Sequence, residues 1–224
     1  MKRNGKRVLA AGCIVVLLFV VWTWLIQNVD VQPTGQNGTD VGFATLNHWF
    51  HRLTGVNMTL YTITDWLGLV PITVCMIFGV LGLVQLIKRR SLLKVDADII
   101  ILGIYYILII LGYLVFEMIP INYRPIPING IMETSYPSST TLLVLCVMPT
   151  LAEQVERRIK SGIVRILINV FAVLFAGGMV AGRLLSGVHW LTDIVGGILL
   201  SGGLFCIYRA AVMLSNKEKN ESRD

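Results

Sequence analysis

Six long runs almost free of charge, separated by short charged segments, leave this chain few ways to fold. A helix rising 1.5 Å per residue needs about 20 apolar residues to cross a hydrocarbon core about 30 Å thick. Val8–Gln27, Trp66–Ile87, Ile99–Phe116, about 137–152, Ile166–Gly182 and about 190–214 meet or approach that length. The first five contain no charged residue, and the sixth has Asp193 near its start and Arg209 near its end. Charged residues make up 14% of the chain, against about 25% in soluble domains. A soluble, disordered or disulfide-stapled chain is thereby excluded. The expected fold is an all-α membrane protein, a bundle of six transmembrane helices forming one domain over 1–224.

The placement of positive charge orients the bundle. Of 19 Lys and Arg residues, 16 fall before the first run, between the second and third, between the fourth and fifth, or at the end of the sixth run and beyond. That side is expected to be cytoplasmic, with both termini inside. The net charge of +6 then follows from topology, and no nucleic-acid partner is implied. The first run has full span length and no small-residue cleavage site after it, so it reads as a retained helix rather than a secretory signal. Residues 28–65 form an outer segment with turn chemistry at 32–38 and a short interfacial helix expected around 43–53. Residues 215–224 are expected to be a mobile cytoplasmic tail. Cys13, Cys75, Cys146 and Cys206 lie in separate apolar runs and read as small hydrophobes, with no metal-ligand or disulfide spacing among them.

Three cations, Arg52, Arg124 and Arg183, break the charge pattern by lying on the outer side. Two of them stand near other polar groups at span boundaries, where an ionisable residue points to function. His189 and Asp193 are spaced i, i+4, as on one helix face, where a carboxylate can fix the imidazole tautomer and leave the other nitrogen as nucleophile or base. Arg183 precedes His189 in the same loop, and Arg124 is stiffened by Pro125. Guanidinium groups suit phosphate oxygens. Ser138 and Ser139, after Pro137, open the fourth span, where hydroxyls and free backbone N–H groups form an anion site. This set fits phosphoryl transfer through a phosphohistidine, with no metal required. Equally, His189–Asp193 can be a structural hydrogen bond, with the arginines binding lipid headgroups. A transporter fits less well, since no ionisable residue marks mid-membrane depth.

These residues resemble the motifs of the type-2 phosphatidic acid phosphatase superfamily, metal-independent membrane lipid phosphatases related to haloperoxidases. Its signatures are K-x6-R-P, P-S-G-H and S-R-x5-H-x3-D. Arg124-Pro125 meets the first in part and Pro137-Ser138 the second, while Arg183, His189 and Asp193 keep the spacing of the third. The resemblance implies His189 as nucleophile, Asp193 as its orienting partner, Arg124, Arg183 and Ser138 around the phosphate, and no cofactor; Ser139 joins the phosphate site by its place at the helix start. Four positions depart from it: Glu117 replaces Lys, Ser139 replaces Gly, Thr140 replaces the second His, and Gly182 replaces Ser.

The second His is the family's general acid for the leaving oxygen. Protonating an alkoxide is worth about 10²–10⁴-fold in rate, whereas a phosphate leaving group needs much less help. The sequence therefore favours a polyprenyl diphosphate, such as an undecaprenyl carrier, over a phospholipid monophosphate. Glu117 or Glu133, if its pKa were raised, is a replacement acid. The expected setting is a bacterial plasma membrane with the site facing outward and a lipid phosphate as partner. The competing readings are a silent lipid-phosphate-binding relative, an envelope scaffold, or a lipid phosphotransferase.

Overall fold

The computed structural model describes residues 2–33 and 38–221, so Thr34–Asn37 of the expected turn and the last three residues of the tail lie outside the described residues. The chain forms α1 (Lys2–Asn28), α2 (Ala44–Thr54), α3 (Met58–Leu67), α4 (Leu69–Arg89), α5 (Ala97–Met118), α6 (Ser139–Arg158), α7 (Gly162–Leu185) and α8 (Leu191–Glu221). Among the described residues the extended pairings are isolated bridges, including Tyr123 with Thr134 and Ile128 with Ile131 in the α5–α6 loop. The fold class is the all-helical membrane bundle expected.

Among the described residues, five segments are long and apolar enough to cross a membrane: Asn4–Asn28, Met58–Arg89, Ala97–Met118, Gly162–Leu185 and Leu191–Ser215. Their outer faces carry exposed Leu, Ile and Val, such as Leu17, Ile77, Ile110 and Leu174, the pattern of a surface solvated by lipid. The fourth expected crossing, α6, has the length at 20 residues but not the hydropathy. It packs on α4, α5, α7 and α8, so its side chains answer to protein rather than lipid. Its buried polar groups find partners there: Thr150 Oγ1 lies 2.8 Å from Tyr106 Oη, and Gln154 Nε2 donates to Tyr208 Oη at 3.1 Å.

Several local readings are corrected. The second span begins eight residues earlier than expected, at Met58 rather than Trp66, because α3 runs almost directly into α4 through Gly68. The break between α3 and α4 at Gly68 lies three residues before Pro71, where proline's missing N–H cannot bond the carbonyl of Leu67. Gly177 and Gly178 face open space, whereas Gly203 makes a true close approach. A Cβ on Gly203 would stand 2.7 Å from Val16 Cγ2 and 3.0 Å from Val16 N. The first and last helices thus meet nearly backbone to backbone, as small residues permit in membranes. α8 itself runs on past the membrane-spanning part to Glu221.

At the end carrying the basic residues, charges pair across elements: Arg89 with Asp96 at 2.7 Å, Arg158 with Asp98 at 2.9 Å, Arg165 with Glu156 at 3.1 Å. The C-terminal ends of α5 and α7 and the N-terminal ends of α6 and α8 gather at the opposite end. That convergence brings the sequence motifs together.

Candidate active site

The α7–α8 turn sets the central histidine. Gly187 has φ +68°, and a Cβ there would fall 1.9 Å from the carbonyl oxygen of Gly55, so the turn presses on the α2–α3 link. Asn57 N donates to Ser186 O at 2.9 Å in the same contact. His189 follows, ahead of α8 rather than on it, which corrects the expectation of one shared helix face with Asp193. Asp193 sits in the first turn of α8, and its Oδ2 accepts from the backbone N–H of Trp190 at 2.9 Å. This is the reach-back bond of a capping box. Its Oδ1 accepts from Asn122 Nδ2 at 3.2 Å.

The imidazole is oriented by two acceptors. Nδ1–H donates to the carbonyl of Ser135 at 3.1 Å, with Asp193 Oδ2 at 3.7 Å. Nε2 is buried and has no hydrogen-bond partner among the described residues. The side chain is 1% exposed. Burial, reinforced by the Arg124 and Arg183 cations and only partly offset by Asp193, pushes the His189 pKa down to about 4. At neutral pH the ring is therefore neutral, with its lone pair on Nε2.

Both arginines converge on the same place. Arg183, in the last turn of α7, uses Nη2 to donate to Asp65 Oδ1 at 2.8 Å and to Thr140 Oγ1 at 2.6 Å. Arg124, in the α5–α6 loop, pairs through Nη2 with Glu133 Oε2 at 3.1 Å. Both guanidinium carbons lie against the ring of Tyr61, 4.7 Å and 5.7 Å from its centroid, at cation–π distance. On each arginine Nε and Nη1 are buried without a partner among the described residues. Buried N–H donors are nearly always satisfied; four such nitrogens on two cations packed against one ring are groups that an anion could satisfy.

Ser138 caps α6, its hydroxyl accepting from Thr141 N at 3.5 Å, and its own backbone N–H donates to Asp193 O at 3.1 Å. Its hydroxyl is thus tied to the helix start, while Ser139 lines the site cavity. That cavity, about 220 Å³, is bordered by Tyr113, Glu117, Arg124, Glu133, Ser139 and His189. Glu117 Oε2 accepts from Thr134 Oγ1 at 2.8 Å. Thr140 faces away from the cavity toward Arg183 and Asp65, lining an apolar groove of about 380 Å³ between α4, α5 and α6. The groove and the cavity share Tyr113, Ser139 and Leu142.

Sequence reasoning missed Tyr61, Asp65, Asn122 and Ser135, which support the site through a ring face, a carboxylate, an amide and a backbone carbonyl. An acidic residue at a span boundary could have flagged Asp65; no short-range pattern marks the others. His48 and His51 prove to be buttresses, their rings 5.1 Å and 5.6 Å from that of Trp190. His51 Nε2 also lies 3.1 Å from Gly187 O.

Among solved structures, the chain resembles the "first transmembrane PAP2 type phosphatidylglycerolphosphate phosphatase from Bacillus subtilis", with a TM-score of 0.63 and 15% identity over 92% of this chain and 96% of that one. At that identity the likeness is one of fold. No curated protein matches the chain significantly by sequence. The sequence model of the PAP2 superfamily matches residues 99–217. That stretch is more than half of the 224 residues and holds Arg124, Ser138, Arg183, His189 and Asp193. The chain belongs to the PAP2 superfamily.

Proposed function

We propose that this protein is a lipid-phosphate phosphatase of the plasma membrane, that its site faces outward, and that its preferred substrate is a polyprenyl diphosphate. One observation carries the reading: a buried imidazole presents an unpartnered Nε2 to a cavity that Arg124, with Nε and Nη1 unpartnered, also lines, and Arg183, likewise with unpartnered N–H groups, packs with Arg124 on the Tyr61 ring. Nε2 attacks the terminal phosphorus while Nδ1–H stays on the Ser135 carbonyl. The bridging P–O bond breaks, and the lipid monophosphate leaves with the bonding electron pair. Water then cleaves the phosphohistidine, releasing inorganic phosphate and returning the ring to its neutral form. Arg124 and Arg183 hold charge that spreads over the transferring oxygens, where fixed cations stabilise most. The apolar groove adjoining the cavity accommodates the chain next to the headgroup.

Thr140 bears on the choice of substrate. Its hydroxyl accepts from Arg183, and an alcohol is far too weak an acid to protonate an alkoxide at neutral pH. A phosphate leaving group removes that demand. The outward orientation rests on the basic residues gathered at the opposite end of the bundle.

The test is phosphate release by the purified protein from undecaprenyl diphosphate and from phosphatidic acid. The diphosphate is expected to turn over faster by about 10²–10⁴-fold, and His189→Ala to abolish release while the protein still folds. Equal rates on the two lipids, or release that survives His189→Ala, would refute the reading. A phosphorylated acceptor in place of free phosphate would identify a transferase.

A further inference from the structure

Helix α3 lies before the stretch that the family model matches, 99–217, yet it touches both arginines of the site. Arg183 Nη2 is shared between Asp65 Oδ1 at 2.8 Å and Thr140 Oγ1 at 2.6 Å. Tyr61, one turn before Asp65, lays its ring against both guanidinium carbons, 4.7 Å from that of Arg183 and 5.7 Å from that of Arg124. A third residue of α3 sets its distance from α7. Thr64 is buried, and a Cβ on Gly182 would stand 2.6 Å from its Cγ2. The Thr64 hydroxyl lies 2.9 Å from the carbonyls of Leu60 and Tyr61, and a β-branched side chain held that way has little freedom to turn its methyl aside. Two departures from the resembled motifs therefore meet α3. Glycine at 182 admits the helix, and threonine at 140 gives Arg183 Nη2 a small acceptor beside Asp65.

A guanidinium is planar, with its N–H groups in fixed directions. Anchoring Nη2 on two oxygens and one face on a ring fixes the plane of Arg183, and the directions of Nε and Nη1 follow. The same ring draws Arg124 toward Arg183, two like charges that would otherwise separate, through the attraction of a cation for an aromatic face. On both arginines Nε and Nη1 are buried without a partner among the described residues. Neither Tyr61 nor Asp65 lines the cavity that holds His189, so each acts through an arginine and not on the reacting atoms. Building on the phosphatase reading, we infer that Asp65 and Tyr61 are positioning residues, and that α3 aims the two guanidinium groups at the transferring phosphate. Fixed aim matters because charge on that phosphate spreads as the P–O bond breaks, and donors already in place stabilise it without reorganising.

The experiment measures kcat and KM for phosphate release from undecaprenyl diphosphate by the full chain in detergent, with thermal unfolding of each variant alongside. Asp65→Ala and Tyr61→Leu should each lower kcat by about tenfold to a hundredfold, as misplaced groups do, with a smaller change in KM. Asp65→Asn keeps an acceptor for Nη2 and Tyr61→Phe keeps the ring face, so both should stay within about threefold of wild type. A role confined to stability would move the melting temperature and leave kcat of the folded protein alone. Gly182→Ser, which restores the motif residue, should lower kcat like Asp65→Ala, because it pushes α3 off α7. Unchanged kcat in Asp65→Ala and Tyr61→Leu, conservative variants as impaired as these two, or faster release by Gly182→Ser would overturn the inference. Absence of hydrolysis from every lipid would sink the phosphatase reading instead. Orthovanadate binding, read as stabilisation against heat, would then decide the role of α3. It should weaken at least about tenfold in Asp65→Ala and hold in Asp65→Asn; equal affinity in wild type and both variants would overturn it.

Discussion

At the scale of the residue, His189 is governed by its surroundings more than by its sequence partner. The i, i+4 spacing led to Asp193, yet the closer acceptor of Nδ1–H is the Ser135 carbonyl, from a loop 54 residues away. No local pattern announces such a contact. What the spacing did reveal was the carboxylate that fixes the start of α8. With its pKa at about 4, below an ordinary value near 6.5, the imidazole is neutral in the folded state and takes up a proton on unfolding. Stability therefore declines as pH falls from about 6.5 through about 4. The pH profile of kcat/KM should show no break from His189 near 6.5, only an acid limb approaching pH 4; a limb at 6–7 that shifts in histidine variants would contradict this. Asn122→Ala should leave Asp193 Oδ1 without its donor. An expected loss of about 1–3 kcal/mol would be read from thermal unfolding in detergent, together with lower kcat.

At the scale of the element, hydropathy made five of the spans legible because lipid enforces it on every exposed face. It underestimated α6 because protein surrounds that helix. Thr150 and Gln154 are satisfied inside the bundle partly within α6, by the Val147 carbonyl and by Arg158, and partly through Tyr106 and Tyr208, which lie on helices far away in sequence. Sequence alone likewise does not rank Gly177, Gly178 and Gly203, since close approach depends on a partner. Gly203→Leu should force α1 off α8 and destabilise by about 1–3 kcal/mol. Gly178→Ala, with nothing within 4 Å, should change the melting temperature little, within about 0.5 kcal/mol equivalent. The same detergent melts compare the two.

At the scale of the whole molecule, the distribution of Lys and Arg predicts an orientation, and the motif residues lie at the end of the bundle away from most of those charges. The prediction is one of sidedness. Cysteine introduced at Ile131, 66% exposed in the α5–α6 loop, should react with a membrane-impermeant maleimide added outside intact cells. Cysteine at Leu93, 93% exposed in the α4–α5 loop, should react only after the membrane is opened. The reverse pattern would turn the site inward.

The seam between α1 and α8 has a further consequence, for biogenesis. Trp22 donates to the Thr192 carbonyl across 170 positions of sequence. At about 5–20 residues made per second, the first helix waits roughly 10–30 s in the bilayer before its mate leaves the ribosome. Through that interval its flank bearing Gly5 and Gly12, which closes on Leu214 and Ile207 of α8, is bare, open to chaperones, insertases or wrong neighbours. Damage to this seam is therefore expected to show first as low yield during synthesis, before any loss of turnover by the molecules that mature.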